Sequence, residues 1–357
     1  MQTTTPASGK AVANWLLLGV FMLIIQILLG GITRLTGSGL SITEWEVVTG
    51  TLPPLGAAQW LQEFDKYKAT PQYLLLNSDF TLSDFKFIYF WEWFHRLWAR
   101  VMGLVFAVGF LWFLVKGAFR KDMIKPLFVL FLLGALQGAV GWIMVASGLT
   151  GDAVYVKPTR LALHFILAMV LLCYTFWFAL QLKVPPQERT AAPALRRFTW
   201  LVLGVLVVQL LFGALMAGHK AAPAAATWPL IQDSWIPPTA WKEQPLLLNF
   251  IENKLTVHFV HRNLALLLFV LVVLWYLRSA RVTGSRLLQA TRFLPLVLIV
   301  LQAGLGILSV LAALQIVPNR WGVFEWLAQL HQLGGMFLLL SLVWMLYLVR
   351  NRVPAAS

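Results

Sequence analysis

The sequence predicts an all-α integral membrane protein with eight transmembrane helices, arranged as two tandem, pseudo-symmetric four-helix bundles. The composition, the length of the apolar segments and an internal repeat lead to this fold class. Hydrophobic residues make up 59% of the 357 residues and charged residues only 12%. Several apolar segments reach the roughly 20 residues needed to cross a hydrocarbon core about 30 Å thick. The chain is therefore predicted to cross the membrane repeatedly.

Eight apolar runs of suitable length follow one another along the chain. Basic residues follow the second, fourth, sixth and eighth runs, and the positive-inside rule places such segments in the cytoplasm. An even number of spans then puts both termini in the cytoplasm and the loops 34–86 and 218–249 outside. The predicted spans are 12–33, 87–115, 126–147, 160–182, 197–217, 250–277, 290–314 and 326–349.

The net charge of +14 does not indicate a nucleic-acid-binding protein. The lysines and arginines lie between the apolar runs rather than on one basic face, as expected for topology signals. The single cysteine, Cys173, lies within an apolar run, which excludes an intramolecular disulfide and a cysteine-based metal site. We interpret Cys173 as a small buried apolar side chain.

The second half of the chain repeats the first. We expect residues 1–182 to form one four-helix unit and residues 198–357 the other, joined by a cytoplasmic linker at 183–197. Each unit has an even number of spans, so the two repeats have parallel topology. The aligned segments pair Gln26 with Gln209, Gly30 with Gly213, His95 with His261, Gln137 with Gln302, Gly141 with Gly306 and His164 with His331.

Four histidines lie at matched places in the two halves. His164 follows His95 by 69 residues, and His331 follows His261 by 70 residues. An imidazole inside an apolar span is costly unless it is paired or bound. All four lie in the first turns of spans predicted to run from outside to inside, so they share a depth in the outer half of the bilayer. Two facing pairs of imidazoles are the axial-ligand arrangement that a heme requires.

Each histidine also has alternative interpretations. A single intramembrane histidine could be a hydrogen-bonded packing residue or part of a proton relay. Zinc or copper is the competing metal, but neither cysteines nor clustered carboxylates accompany the histidines. His258 lies one turn before His261 on the same helix face. It could be a spare ligand, a proton relay or a partner that orients a ligand.

The two halves differ one turn outward of the first histidine of each. Where the second half has His258, the first half has Glu92. A carboxyl group inside a span is costly, and burial favours its protonated form, which would suit proton transfer. Pairing of Glu92 with Arg96, Arg100 or Lys86 at the membrane edge is the alternative.

Four arginines lie at the predicted outer ends of spans. A guanidinium at this depth could bind a heme propionate bidentately, or it could anchor the helix at the interface. The four are Arg34, Arg96, Arg160 and Arg262.

Seven segments, taken together, are typical of a known family. They are GGITRLTGSGLSITEW (30–45), IYFWEWFHRLWAR (88–100), ALQGAVGWIMVASGL (135–149), LALHFILA (161–168), TWPLI (227–231), FVHRNLA (259–265) and LAQLHQLGG (327–335). With these segments the chain resembles the heme A synthase family, which includes a mitochondrial cytochrome oxidase assembly factor. The resemblance covers nearly the whole chain. It implies oxidation of a methyl group of heme O to the formyl group of heme A, with heme b as cofactor.

The resemblance also implies roles by position. Glu92 would be the catalytic acid or base, and all four histidines are candidate iron ligands. Two successive hydroxylations would give a geminal diol that loses water to the aldehyde, with electrons passed by the retained heme b. The residues implied for the substrate heme are His95, His164, Arg34, Arg96 and Arg160, and those implied for heme b are His261, His331 and Arg262.

The resemblance further implies a place in the cell and a set of partners. We expect the bacterial inner membrane, with the heme sites toward its outer side. Heme O, the farnesyltransferase that makes it, cytochrome oxidase assembly factors and the bilayer are the expected partners, and homo-oligomerisation is left open. Some members carry a cysteine pair in the first outer loop, whereas residues 34–86 have none. A thiol-based step is therefore not expected.

Two other functional classes remain. A diheme b-type electron carrier would need two permanent hemes and no reactive carboxylate, so Glu92 weakly favours the enzyme. A transporter or heme-handling assembly protein would also fit tandem repeats of spans. The scarcity of charged residues deep in most spans disfavours an ion pathway.

Overall fold

The computed structural model describes residues 6–44, 49–317 and 320–350. Among these residues, eight apolar helices are long enough to cross a membrane, which confirms the predicted class of multi-spanning helical protein. They are α1 (Pro6–Leu35), α2 (Leu82–Val115), α3 (Lys121–Ala146), α4 (Pro158–Lys183), α5 (Pro193–Gly218), α6 (Lys254–Ser279), α7 (Leu294–Leu311) and α8 (Val323–Leu348).

Each predicted span coincides with one helix, apart from a few residues at the ends. The seventh span is interrupted. A short helix, Arg286–Thr291, precedes α7, and a 3-10 turn, Ala312–Gln315, follows it. Pro295 lies in the first turn of α7. Proline lacks an N–H and has a fixed φ, so it suits a helix start better than a helix interior.

Three chain segments meet at one end of the bundle. Lys183 Nζ, at the end of α4, donates to Asn14 Oδ1 near the start of α1 at 2.6 Å. In the linker after α4, Thr190 N donates to the carbonyl of Leu348 at the end of α8, at 2.8 Å. With an even number of spans, the start of α1 and the end of α8 must lie on the same side of the membrane, and these contacts agree with that. The terminal residues themselves, 1–5 and 351–357, lie outside the described residues.

Helices α1, α4, α5 and α8 form the centre of the bundle. Helix α4 packs against α1, α5 and α8, and α8 packs also against α1, α5 and α7. Helix α8 has the most buried apolar segment of the eight helices, and α2 has the most exposed. Exposed apolar side chains cover much of α2, α3 and α7. Such faces suit contact with lipid, which is as apolar as the side chains themselves.

The loop between α1 and α2, the predicted first outer loop, is folded against the start of α2. It contains the helices Ala57–Lys68 and Pro71–Leu76, and aromatic side chains of the loop pack with those of α2 in a separate small core. Tyr67 is fully buried there, donates to Gln72 Oε1 at 3.1 Å and accepts from Asn77 Nδ2 at 2.8 Å. Burial raises the pKa of Tyr67 to about 12.

Candidate functional site

Each of the four matched histidines packs into a notch between helices, and the four notches are built alike. Each imidazole lies beside a glutamine and a glycine of the preceding spanning helix, four residues apart and therefore on one helix face. In every notch the glutamine Nε2 is within 3.5 Å of an imidazole nitrogen. The four sets are Gln26, Gly30 and His95; Gln137, Gly141 and His164; Gln209, Gly213 and His261; and Gln302, Gly306 and His331.

Each notch glycine is required by the close approach of an imidazole. A Cβ atom at Gly141 would lie 2.8 Å from His164 Cε1, and one at Gly306 would lie 2.9 Å from His331 Cε1. The corresponding distance is 3.2 Å in the other two notches. Carbon atoms attract best at about 3.5–4.0 Å, so a larger residue would push the ring away. The glycines therefore fix the positions of the four rings.

The notch glutamines are held through their amide nitrogens. In three notches Nε2 also donates to the backbone carbonyl of the histidine, at 3.3, 3.2 and 2.8 Å. The amide oxygen of all four glutamines is buried and has no hydrogen-bond partner in the described part of the chain. Buried polar atoms are rarely left unpaired. The same feature recurs in all four notches.

The rings of His261 and His331 face each other across the second half of the bundle. Their centres are 6.3 Å apart and their planes are inclined by 77°. Two imidazoles that each place a nitrogen about 2.0 Å from one metal ion would have ring centres about 6 Å apart. His331 Nδ1 donates to the Gln302 carbonyl at 3.2 Å, and its Nε2 lies 3.5 Å from Gln302 Nε2. The spacing of this pair is compatible with two imidazoles that bind one metal ion.

His95 on α2 and His164 on α4 are the corresponding pair of the first half. Both rings are partly buried. Among residues 6–44, 49–317 and 320–350, no three histidine, cysteine or acidic side chains converge, whereas a protein zinc site takes three or four such ligands. Paired histidines suit an ion whose in-plane ligands come from a macrocycle.

Glu92 is paired with Arg96, one of the partners that the sequence offered. Its Oε1 accepts from Arg96 at 2.5 Å, and its Oε2 accepts from Ser41 N, Ser41 Oγ and Ile42 N at 2.8, 2.7 and 3.0 Å. The side chain is 3% exposed. Glu92 and Arg96 together hold the loop at Ser41 and Ile42 against α2, one turn outward of His95.

In the second half, Arg262 links its helix to the loop before it, as the Glu92–Arg96 pair does in the first half. Arg262 Nε donates to His258 Nδ1 at 2.9 Å, and its two terminal nitrogens donate to the Leu230 and Ala225 carbonyls at 3.1 and 2.7 Å. His258 is fully buried. The pairs Glu92–Arg96 and His258–Arg262 therefore occupy matching places, and each binds the outer loop of its own half. Of the roles considered for His258, its contact with Arg262 is that of a positioning partner.

The two other predicted arginines lie at different edges of the first half. Arg160 is partly exposed and donates to the Ile143 carbonyl of α3 at 3.0 Å. Arg34, at the end of α1, interacts electrostatically with Glu325 at the start of α8. Arg34 therefore lies where the first and last helices meet, rather than in a notch. Roles of both arginines toward a heme stay predictions.

Ser41 is a site residue that sequence reasoning missed. It provides two of the four donors to Glu92, from 51 positions away in the chain. Its only signal in the sequence is its place inside segment 30–45, which carries part of the family resemblance. A hydroxyl in a loop gives no periodic pattern from which such a contact could be predicted.

The comparison with protein families agrees with this geometry. The family model described as "Cytochrome oxidase assembly protein" matches residues 13–343. The chain belongs to this family. The matched range contains all four notches, the Glu92–Arg96 pair and the His258–Arg262 pair, so every element of the candidate site lies inside the family's common region.

Curated bacterial relatives match the chain over almost its whole length. A protein named heme A synthase from Rhodospirillum centenum is 43% identical over 96% of this chain and 90% of its own length. One from Azorhizobium caulinodans is 44% identical over 94% of this chain and 93% of its own length. One from Flavobacterium psychrophilum is 38% identical over 95% of this chain and 98% of its own length. Family membership and the resemblance stated from the sequence segments are thereby confirmed.

Proposed function

We propose that this protein is a heme A synthase, an oxidoreductase that converts a methyl group of heme O to the formyl group of heme A. The observation that carries the proposal is the match, across nearly the whole chain, to relatives that bear this name. Two successive hydroxylations of the methyl carbon and loss of water from the geminal diol give the aldehyde. The four histidine notches support it, since both the substrate and the cofactor of such an enzyme are hemes.

We propose that His261 and His331 hold a heme b as the resident cofactor. Their 6.3 Å separation supports axial ligation of one iron, and the bound heme b would supply electron transfer. The Gln302 carbonyl orients His331. Arg262 keeps the second outer loop closed over this side of the bundle. His95 and His164 would then receive heme O, with Arg96 and Arg160 near its propionates.

Glu92 is the proposed catalytic acid or base of the first half. It lies one turn from His95 on the same helix, so its carboxylate is near the heme that His95 would bind. In that role Glu92 would move the proton of the hydroxylation steps. Arg96 and Ser41 hold the carboxylate in place for this transfer.

A diheme electron carrier is the second candidate, because the four notches are so alike. In such a carrier, each pair of histidine notches would hold one permanent heme. The donors gathered around Glu92 have no equivalent carboxylate in the second half, where His258 takes that place. This difference between the halves supports an enzyme with one reactive and one resident heme.

We also propose an orientation. The common end formed by the start of α1, the linker and the end of α8 faces the cytoplasm of a bacterium, as the positive-inside rule requires for the arginines and lysines of that end. The notches and both outer loops then lie toward the outer side. A reporter enzyme fused after residue 357 tests this, since it should be active only if that end is cytoplasmic.

The proposed activity is tested by extracting hemes from cells that make heme O. Cells with this protein should contain heme A, and cells without it should not. The purified protein should show a bis-histidine b-type spectrum that is lost in His261→Ala. A spectrum with two permanent hemes and no heme A in the extract would favour the carrier.

A further inference from the structure

The two halves of the bundle differ in how their helices close around the histidines. In the second half α5 packs against α6, α6 against α7, α7 against α8, and α8 against α5, which completes a ring. In the first half α1 packs against α2 and α4, and α3 against α4. Helices α2 and α3 are described in full but do not pack along each other. The first half therefore has one open side.

The outer end of this opening is a cleft of about 180 Å³. One wall is the loop at Thr43 with Arg96 of α2, and the other is the end of α3 with Trp142 and Val145, followed by Leu149 in the next turn. The equivalent place in the second half is covered, because the 3-10 turn Ala222–Ala225 packs against both α6 and α7.

Further into the membrane, both helices that border the opening carry an exposed glycine. Gly138 lies one turn before Trp142, on the same face of α3, and Gly103 lies seven residues, about 10 Å, inward of Arg96 on α2. A Cβ atom at either glycine would meet no atom within 4 Å, unlike the notch glycines. The opening thus has a cationic outer end and an apolar inner part.

We propose that the opening between α2 and α3 is the lateral passage through which a prenylated heme moves between the bilayer and the His95–His164 pair. This inference rests on the proposed function. A prenylated heme is flat and amphipathic, with anionic propionates at one edge and a hydrocarbon chain at another. Arg96 at the outer end suits the propionates, and the lipid-facing inner part suits the chain, which partitions into membranes.

The proposal explains why the halves close differently. A cofactor that stays bound is best kept in a closed ring, whereas a substrate and product that dissolve in the bilayer must enter and leave. Passage from the side keeps the hydrocarbon chain in lipid throughout. The Glu92–Arg96 pair, which fixes the loop at Ile42, then borders the passage as well as the reaction site.

Alkylation of an introduced cysteine tests the passage after the protein has folded. In a Cys173→Ala background, Gly138→Cys would be modified with a bulky membrane-permeant maleimide. Gly304→Cys is the matched control, since Gly304 lies at the same depth on α7 and a Cβ there also meets no atom within 4 Å. The measurements are uptake of heme O from phospholipid vesicles by protein that holds heme b, and heme A formation.

We expect modification at Gly138→Cys to slow heme O uptake and heme A formation about tenfold or more, equivalent to about 1.4 kcal/mol of barrier. The heme b spectrum should not change, and modification at Gly304→Cys should have no effect. Gly103→Cys, from the opposite wall, should behave like Gly138→Cys. Unchanged uptake after modification at both wall positions would overturn the passage.

Two further results separate this inference from its alternatives. If the unmodified wild type makes no heme A, the proposed function itself fails, whatever the cysteine variants do. If modification at Gly138→Cys splits a dimer in detergent without slowing uptake, a second copy of the chain covers the opening, and the passage is refuted.

Discussion

The change Gly306→Ala tests whether the notches fix the histidine rings. A Cβ atom at this position would lie 2.9 Å from His331 Cε1, so the ring must move by about 0.6 Å or more to reach ordinary contact. Overpacking of this kind costs about 1–3 kcal/mol, which corresponds to roughly a 5–150-fold weaker affinity for heme b. Ligand sites tolerate displacements of only about 0.5 Å, so the same shift should alter the bis-histidine spectrum.

Gly304→Ala is the matched control for this change. It lies on the same helix, two residues away, and a Cβ atom there meets nothing within 4 Å. Alanine in a helix is more stable than glycine by about 0.5–1 kcal/mol, so this variant should keep its heme b and unfold at a slightly higher temperature. The assay is heme b per protein, measured by absorbance during titration and thermal unfolding in detergent. Equal heme affinity in the two variants would refute the account of the notches.

Three further changes have expected outcomes. Glu92→Gln should keep heme b but lower heme A formation about 100-fold or more, as for loss of a general acid or base; wild-type rates would reject its catalytic role. His95→Ala should also keep the b-type spectrum, whereas His261→Ala should lose it, and loss in both would mean that the halves are not specialised. Because burial raises the pKa of Tyr67 from 10.0 to about 12, the unfolded loop loses this proton first as pH rises above 10. Proteolysis of the first outer loop should therefore increase between pH 10 and 12, and less steeply in Tyr67→Phe.

The sequence was sufficient for the spans, and its repeat paired the residues of the notches without predicting their contacts. Apolar runs of about 20 residues have a clear physical cause, and all eight fall on helices of the structure. The repeat paired the glutamines and glycines correctly, although it gave no reason for the pairing. The reason is spatial, because each glutamine and glycine, such as Gln137 and Gly141, lie against a histidine of the next helix.

The open side of the first half could not be predicted from the sequence. In a membrane, a helix face that packs and one that meets lipid are both apolar, so periodicity does not distinguish α2 and α3 from α6 and α7. The partners of Glu92 could be predicted only in part. Arg96, one turn away, was a foreseeable partner, but Ser41 reaches Glu92 only through the path of the outer loop.

Chromatography of hemes extracted from cells that make heme O tests the central claim most directly. Cells that express the wild-type chain should contain heme A, and cells with Glu92→Gln should contain heme O with only traces of heme A. Both proteins should carry the same heme b spectrum, which shows that they are folded and loaded. Heme O alone in cells that express wild-type protein with bound heme b would contradict the account.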